Sequence, residues 1–274
     1  MHYEFRVIGN PIAHSKSPFI HQEFAKQAGL SVNYERVLAS IEFGEFENLV
    51  NELKMTGVKG CNITLPFKEQ AYIIAQKHSE SAKRAKAANT FIFNADGSIY
   101  ADNTDGIGLV CDIQNNIGYA LADKRILICG AGGAVRGILY SIIEQHPLTL
   151  SIANRNMEKA YRLANECADL MPIEAVNYQD LAGEEFDVII DATSFADEPL
   201  PLPTSLLLSA DSLAYDLKYM QNAATDTLFM AWARTKSAAK VSDGMGMLVE
   251  QAAEAFKLWT GFMPKTQPVI ELFK

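Results

Sequence analysis

The chain has 274 residues, 49% of them hydrophobic, and 24 basic residues against 33 acidic ones give a formal net charge of −9. At ~100–200 residues per domain this length suggests two domains, and the acidic balance excludes a fold-wide nucleic-acid surface, because neutralising phosphates needs a basic face. No apolar run reaches the ~18–20 residues of a membrane span, and the first residues lack the blocks of a secretory signal, so a cytoplasmic protein is expected.

Short β-branched runs alternate with helical patterns almost throughout, which is the signature of parallel α/β architecture. Strands are expected near Phe5–Gly9, Tyr34–Leu38, Gly60–Thr64 and Thr90–Phe93, with helices over Pro18–Ala28, Phe43–Met55 and Pro66–Gln76. Asp96-Gly97 predicts a tight turn into Ile99–Ala101. A connecting helix over 106–117 leads to a second series: strand Arg125–Cys129, a glycine turn, helix 134–145, strand Leu148–Ala153, helix 157–168 and strand Asp187–Asp191. The last helix, Met247 to Trp259, crosses back to the first domain. The expected domains are 1–104 plus 247–274, and 105–246. Cys61, Cys111, Cys129 and Cys167 form no C-x-x-C pair and read as small buried hydrophobes in a reducing compartment. The histidines show no ligand spacing, so no metal is expected.

Gly130-Ala131-Gly132-Gly133, between a strand and a helix, presents backbone N–H groups and a positive helix end to a pyrophosphate. An ordinary tight turn is the alternative, and Val135 departs from the usual third small position. The next strand ends Ala153-Asn154-Arg155-Asn156, with Lys159 one helical turn on. A NAD site carries an acid there, ~20 residues past the glycines. A guanidinium in its place can grip a 2′-phosphate, which favours NADP over NAD. Elsewhere the same residues would be a solvated surface turn.

In the first domain, Ser15-Lys16-Ser17-Pro18 looks like a helix start, with Ser17 as N-cap and Pro18 in the first helical position. Two hydroxyls beside a helix N-terminus also suit a carboxylate. Pro66 starts another helix and puts Lys68 in its first turn, where a cation opposes the helix dipole at a cost of ~0.3–1 kcal/mol. Such rule-breaking residues tend to be functional, although an exposed lysine is the bland alternative. Asp105 ends the stretch Asp102-Asn103-Thr104-Asp105-Gly106 and reads either as an N-cap or, if it lies near Lys68, as the carboxylate that orients the ammonium. Asn62 and Asn89, at strand ends, need partners if buried. Gln251 shares a helix face with Met247, Ala255 and Leu258, as a satisfied core group or a ligand donor.

These segments, together with Gly9-Asn10-Pro11-Ile12-Ala13-His14, Ala88-Asn89-Thr90 and Asp243-Gly244-Met245-Gly246-Met247, resemble the shikimate and quinate dehydrogenase family over essentially the whole chain. The resemblance implies a two-domain α/β fold: an N-terminal substrate domain completed by the C-terminal helix, a Rossmann-type NADP domain, and an active site in the cleft between them. It implies reversible NADPH-dependent reduction of 3-dehydroshikimate to shikimate, on the route to aromatic amino acids, by a monomer or homodimer. Lys68 and Asp105 would be the catalytic pair. Ser15, Ser17 and Tyr219 would hold the substrate carboxylate, and Asn62, Thr64, Asn89 and Gln251 its ring hydroxyls. Gly130, Ala131, Gly132, Gly133, Ala134, Asn154, Arg155, Asn156, Lys159, Thr193, Ser194, Leu217 and Gly244 would meet the cofactor. The chain departs from the family at Asn156, where N-R-T is usual, and in Asp191-Ala192-Thr193-Ser194-Phe195-Ala196, where N-A-T-S-x-G is usual. Alternatives are a quinate/shikimate dehydrogenase with broader substrate or NAD use, and a non-catalytic ligand-sensing module of the same fold.

Overall fold

The structure is a computed structural model that describes residues 2–194, 198–219 and 225–273. Among these, no helix is long and apolar enough to cross a membrane. The chain forms two compact units, one within residues 1–108 and 248–272, the other within 109–247.

The first unit runs β1 (His2–Gly9), α1 (Ser17–Ala28), β2 (Ser31–Leu38), α2 (Glu45–Met55), β3 (Gly60–Ile63), α3 (Lys68–Ile74), β4 (Lys77–His78), α4 (Glu80–Ala85), β5 (Thr90–Phe93) and β6 (Ile99–Asp102), then enters α5 (Asp105–Cys111). Its sheet has the order β2-β1-β3-β5-β6-β4. β1 pairs parallel with β2 and β3, while β5 is antiparallel to both β3 and β6. Gly97, at φ +81°, closes the β5–β6 turn as its Asp-Gly sequence predicts. All four residues of β3 are buried, because helices cover both of its faces. β4 and α4 have no counterpart in the expected elements; each is too short for its periodicity to register.

The second unit continues with β7 (Arg125–Cys129), α6 (Gly133–Ile143), β8 (Thr149–Ala153), α7 (Met157–Glu166), β9 (Glu174–Val176), β10 (Glu185–Asp191), β11 (Leu207–Asp216), α8 (Leu228–Thr235) and β12 (Lys240–Ser242). Its sheet is wholly parallel, in the order β12-β11-β10-β7-β8-β9. Numbered from β7, that is 3-2-1-4-5-6, the doubly wound order of dinucleotide-binding sheets. The expected helix over 106–117 is α-helical only to Cys111 and widens into a π turn over Asp112–Asn116, where the buried Asp112 carboxylate accepts the Tyr215 hydroxyl proton at 2.6 Å.

Two last helices, α9 (Met245–Thr260) and α10 (Gln267–Glu271), end the described chain. In the first unit, Trp259 of α9 stacks on Phe5 with ring centroids 4.3 Å apart and donates its indole N–H to the Phe91 carbonyl at 2.8 Å. A Cβ at Gly108 would stand 2.7 Å from the Gln251 backbone nitrogen, so glycine lets α5 approach α9 backbone to backbone.

Candidate active site

Lys68 and Asp105 meet. The Lys68 ammonium donates to Asp105 Oδ2 at 2.6 Å, and the two side chains are 16% and 8% exposed. The local reason is topological. β3 ends at Ile63, α3 opens at Lys68, and α5 opens at Asp105 just beyond β6, so two helix starts are carried to one end of the sheet. The carboxylate goes to Lys68 rather than to a capping role, while the Asp105 backbone N–H is received by Asn103 Oδ1 at 3.1 Å.

Asn89 ties this pair to its surroundings. Its amide nitrogen lies 2.8 Å from Asp105 Oδ1, 2.9 Å from Thr104 Oγ1 and 3.2 Å from Gln251 Oε1. Its oxygen accepts from the Thr104 backbone N–H and the Thr90 hydroxyl, both at 2.9 Å. Gln251 is therefore a polar residue joined to the site, and its own amide also donates to the Leu248 carbonyl at 2.7 Å. Asn62 is buried and lies in the same network: its amide reaches Thr90 Oγ1 at 3.1 Å and the Asn89 carbonyl at 3.2 Å. Thr64 follows β3, half-buried.

The serine segment differs from expectation. α1 opens at Ser17 itself, so the N-cap position falls on Lys16, whose side chain caps nothing. Ser15 Oγ instead receives the Ser17 backbone N–H at 3.3 Å and donates to Ser17 Oγ at 3.2 Å. An ordinary helix start thus explains Ser15 rather than Ser17. Ser17 is buried near the Tyr34 phenol, whose hydroxyl donates to Asn62 Oδ1 at 2.7 Å; burial raises that phenol well above its ordinary value, and the Ser17 side chain is near enough to oppose the shift.

Sequence reasoning missed Tyr34, Thr90, Thr104 and two further residues. Arg36 forks onto the Ser15 carbonyl through Nε at 2.9 Å and Nη2 at 2.5 Å. His21 is fully buried and stacks on Tyr34 with centroids 4.3 Å apart. Burial pushes its imidazole down to about 3; neither ring nitrogen is in hydrogen-bonding geometry with a partner, although the Asn62 side chain is near enough to oppose the shift. A histidine on the buried stripe of α1 was the available signal.

In the second unit, Gly130 takes φ +115°, and a Cβ there would come within 2.9 Å of the Ala192 carbonyl. Gly132 and Gly133, at the start of α6, face open space. Such a turn leaves room for a pyrophosphate against backbone N–H groups. Val135 does not impair it, because its side chain is fully buried in the core between sheet and helix. At the end of β8, the Asn156 side chain caps α7 by accepting the Lys159 N–H at 3.3 Å, and Asn154 donates to the Asn156 carbonyl at 2.8 Å. Arg155 is half-exposed and reaches Glu198 at 3.2 Å. An open glycine cradle with a guanidinium at the neighbouring strand end fits a dinucleotide carrying a 2′-phosphate. Thr193 and Leu217 follow the ends of β10 and β11, Ser194 is exposed, and Gly244 packs where a Cβ would run into the Leu217 carbonyl. Tyr219 is half-buried, and burial raises its phenol; Phe195 and Ala196 of the departing motif lie outside the described residues.

Sheet order and glycine turn define the class: a two-domain α/β protein whose second unit has the dinucleotide-binding fold. Residues 7–91 match the shikimate dehydrogenase substrate binding domain, residues 112–201 the shikimate / quinate 5-dehydrogenase family, and residues 244–272 the shikimate 5′-dehydrogenase C-terminal domain. The chain is 47% identical over 272 residues to the NADP(+) shikimate dehydrogenase of Chromobacterium violaceum, covering 98% of this chain and 97% of that one. Among solved structures it is similar to an Ael1 enzyme from Pseudomonas putida (TM-score 0.89, 42% identity, 99% and 98% covered). It is also similar to shikimate 5-dehydrogenase from Thermus thermophilus in complex with NADP(H) and shikimate (TM-score 0.85, 30% identity, 98% and 97% covered). The chain belongs to the shikimate dehydrogenase family.

Proposed function

We propose that this protein catalyses the reversible NADPH-dependent reduction of 3-dehydroshikimate to shikimate, in the cytoplasm, as a monomer or homodimer. The observation that carries the reading is the Lys68–Asp105 contact of 2.6 Å, set among amides and hydroxyls suited to a polyhydroxylated ring. The substrate and the cofactor follow those of the similar NADP(+) shikimate dehydrogenases.

When bound, the nicotinamide cofactor supplies the hydride. Lys68 then meets the negative charge that grows on the ketone oxygen, donating a proton from Nζ as general acid, an effect of typically ~10²–10⁴ in rate. Asp105 Oδ2 aims that ammonium, and Asn89 fixes the carboxylate through Oδ1. In the oxidative direction Lys68 takes the proton back. Asn62, Thr64, Asn89 and Gln251 are assigned to the ring hydroxyls, and Ser15, Ser17 and Tyr219 to the substrate carboxylate. Arg155 and Lys159 are assigned to the 2′-phosphate, and the glycine turn to the pyrophosphate.

The test is a comparison of kcat/KM for shikimate and quinate with NADP⁺ and with NAD⁺. A clear preference for shikimate with NADP⁺ is expected. Comparable quinate or NAD⁺ turnover would replace the reading by a broad-specificity dehydrogenase, and ligand binding without oxidation of either substrate would replace it by a sensing module.

A further inference from the structure

The register of the second unit sets two carboxylates side by side. Asp191 is the last residue of β10, Asp216 the last of β11, and the two are direct neighbours across the parallel ladder. Both are buried, Asp216 completely. Two like charges so placed repel, and each has lost its hydration. The Lys218 ammonium resolves this. It stands 2.5 Å from Asp191 Oδ2, 3.2 Å from Asp216 Oδ1 and 3.4 Å from the Thr193 carbonyl.

The remaining carboxylate oxygens are also engaged. Asp191 Oδ1 accepts from the Thr193 backbone N–H at 2.9 Å and from its hydroxyl at 2.7 Å. Asp216 Oδ2 accepts from Thr227 at 2.6 Å, and Asp216 Oδ1 from the Lys218 backbone N–H at 2.9 Å. The Lys218 carbonyl in turn receives the Gly244 N–H at 2.9 Å. One ammonium therefore joins the loop after β10 to the loop after β11, at the carboxyl end of the sheet where open α/β sheets receive their ligands.

We propose that Lys218 is a positioning residue for the cofactor: by bridging Asp191 and Asp216 it holds Thr193, Ser194 and Leu217 in the arrangement that receives the nicotinamide half. Lys218 makes no contact with the cofactor in this role. The inference rests on reading the 109–247 unit as the NADP unit, and it is independent of the Lys68–Asp105 chemistry. It also gives the unusual Asp191 a partner, since an asparagine there would leave only one carboxylate to neutralise.

The experiment measures calorimetric affinity for NADP⁺ and for 2′,5′-ADP, which lacks the nicotinamide, with the thermal midpoint of the unliganded protein. Lys218→Met leaves two buried carboxylates uncompensated and should weaken NADP⁺ at least ~10-fold while changing 2′,5′-ADP less than ~2-fold. Lys218→Met combined with Asp191→Asn removes one charge of each sign and should bring NADP⁺ affinity back to within ~3-fold of wild type, a coupling that additive effects cannot produce. Equal losses for both ligands, or no recovery in the double variant, would overturn the proposal. If Lys218→Met does not fold, Lys218→Arg keeps the charge but alters the bridge. NADP⁺ weakened at least ~3-fold with 2′,5′-ADP unchanged then supports the role, and both unchanged overturns it. Wild-type protein that binds NADP⁺ yet oxidises no shikimate would sink the proposed activity and leave this inference readable; failure to bind NADP⁺ would end both.

Discussion

Asn89 donates to Asp105 Oδ1 at 2.8 Å and so leaves Oδ2 facing Lys68. The carboxylate is fixed from one side by Asn89 and meets Lys68 from the other. Because the Asn89 oxygen also receives the Thr104 backbone N–H, the residue next to Asp105 is pinned by the same amide. The pair is therefore pre-organised before any ligand binds, which is the condition under which a proton donor lowers a barrier rather than merely binding.

Lys68→Met should lower kcat by at least ~10²-fold and change the shikimate KM by less than ~3-fold, since a methionine fills the space without supplying the proton. Steady-state kinetics in the oxidative direction check this. Near-wild-type turnover would remove Lys68 from the chemistry.

Tyr34→Phe deletes the hydroxyl that donates to Asn62 Oδ1. Leaving a buried amide oxygen short of its donor should cost ~1–3 kcal/mol of stability. The shikimate KM should rise more than kcat falls, because Asn62, which it orients, is assigned to substrate binding. Urea unfolding and kinetics together test it, and an unchanged KM would count against that placement of Asn62.

Arg155→Ala should weaken NADP⁺ at least ~10-fold and NAD⁺ by no more than ~2-fold, because only NADP⁺ carries the 2′-phosphate. Titration with both nucleotides is the measurement. Equal losses would show that Arg155 does not read the phosphate.

His21 gives the acid side of the stability profile. Its imidazole, at about 3 when folded, sits below its unfolded value near 6.5, so the unfolded chain binds more protons between those limits. Stability contributed by keeping it neutral is complete above pH 6.5 and is lost as pH falls, by about 2 kcal/mol at pH 5. In His21→Phe, which keeps an aromatic ring against Tyr34, the change in urea midpoint between pH 7 and pH 5 should shrink. The same change in both proteins would exclude His21 as its source.

Much of the candidate site was legible as a list of residues. The glycine turn, the missing acid after β8, the lysine at the start of α3 and the aspartate at the start of α5 each announce themselves locally, through chemistry confined to a few neighbours. What stayed illegible depended on long-range neighbours. Tyr34 looks like any aromatic in a strand until it is seen above Asn62. Lys218 looks like any surface lysine until the β10–β11 register sets Asp191 beside Asp216. The N-cap at Ser17 was misread because α1 opens at Ser17 itself, and the hydroxyl that receives the Ser17 N–H is that of Ser15.

The sequence by itself determined the alternation of strands and helices, the two-part organisation and the identity of the charged groups, because periodicity, turn chemistry and charge are properties of adjacent residues. Only the tertiary structure decided which of those groups meet. Lys68 and Asp105 lie 37 positions apart, and Asn89 and Gln251 lie 162 apart; no local preference fixes such distances. They follow from strand order, from a glycine that lets α5 approach α9, and from the need of each buried polar group for a partner.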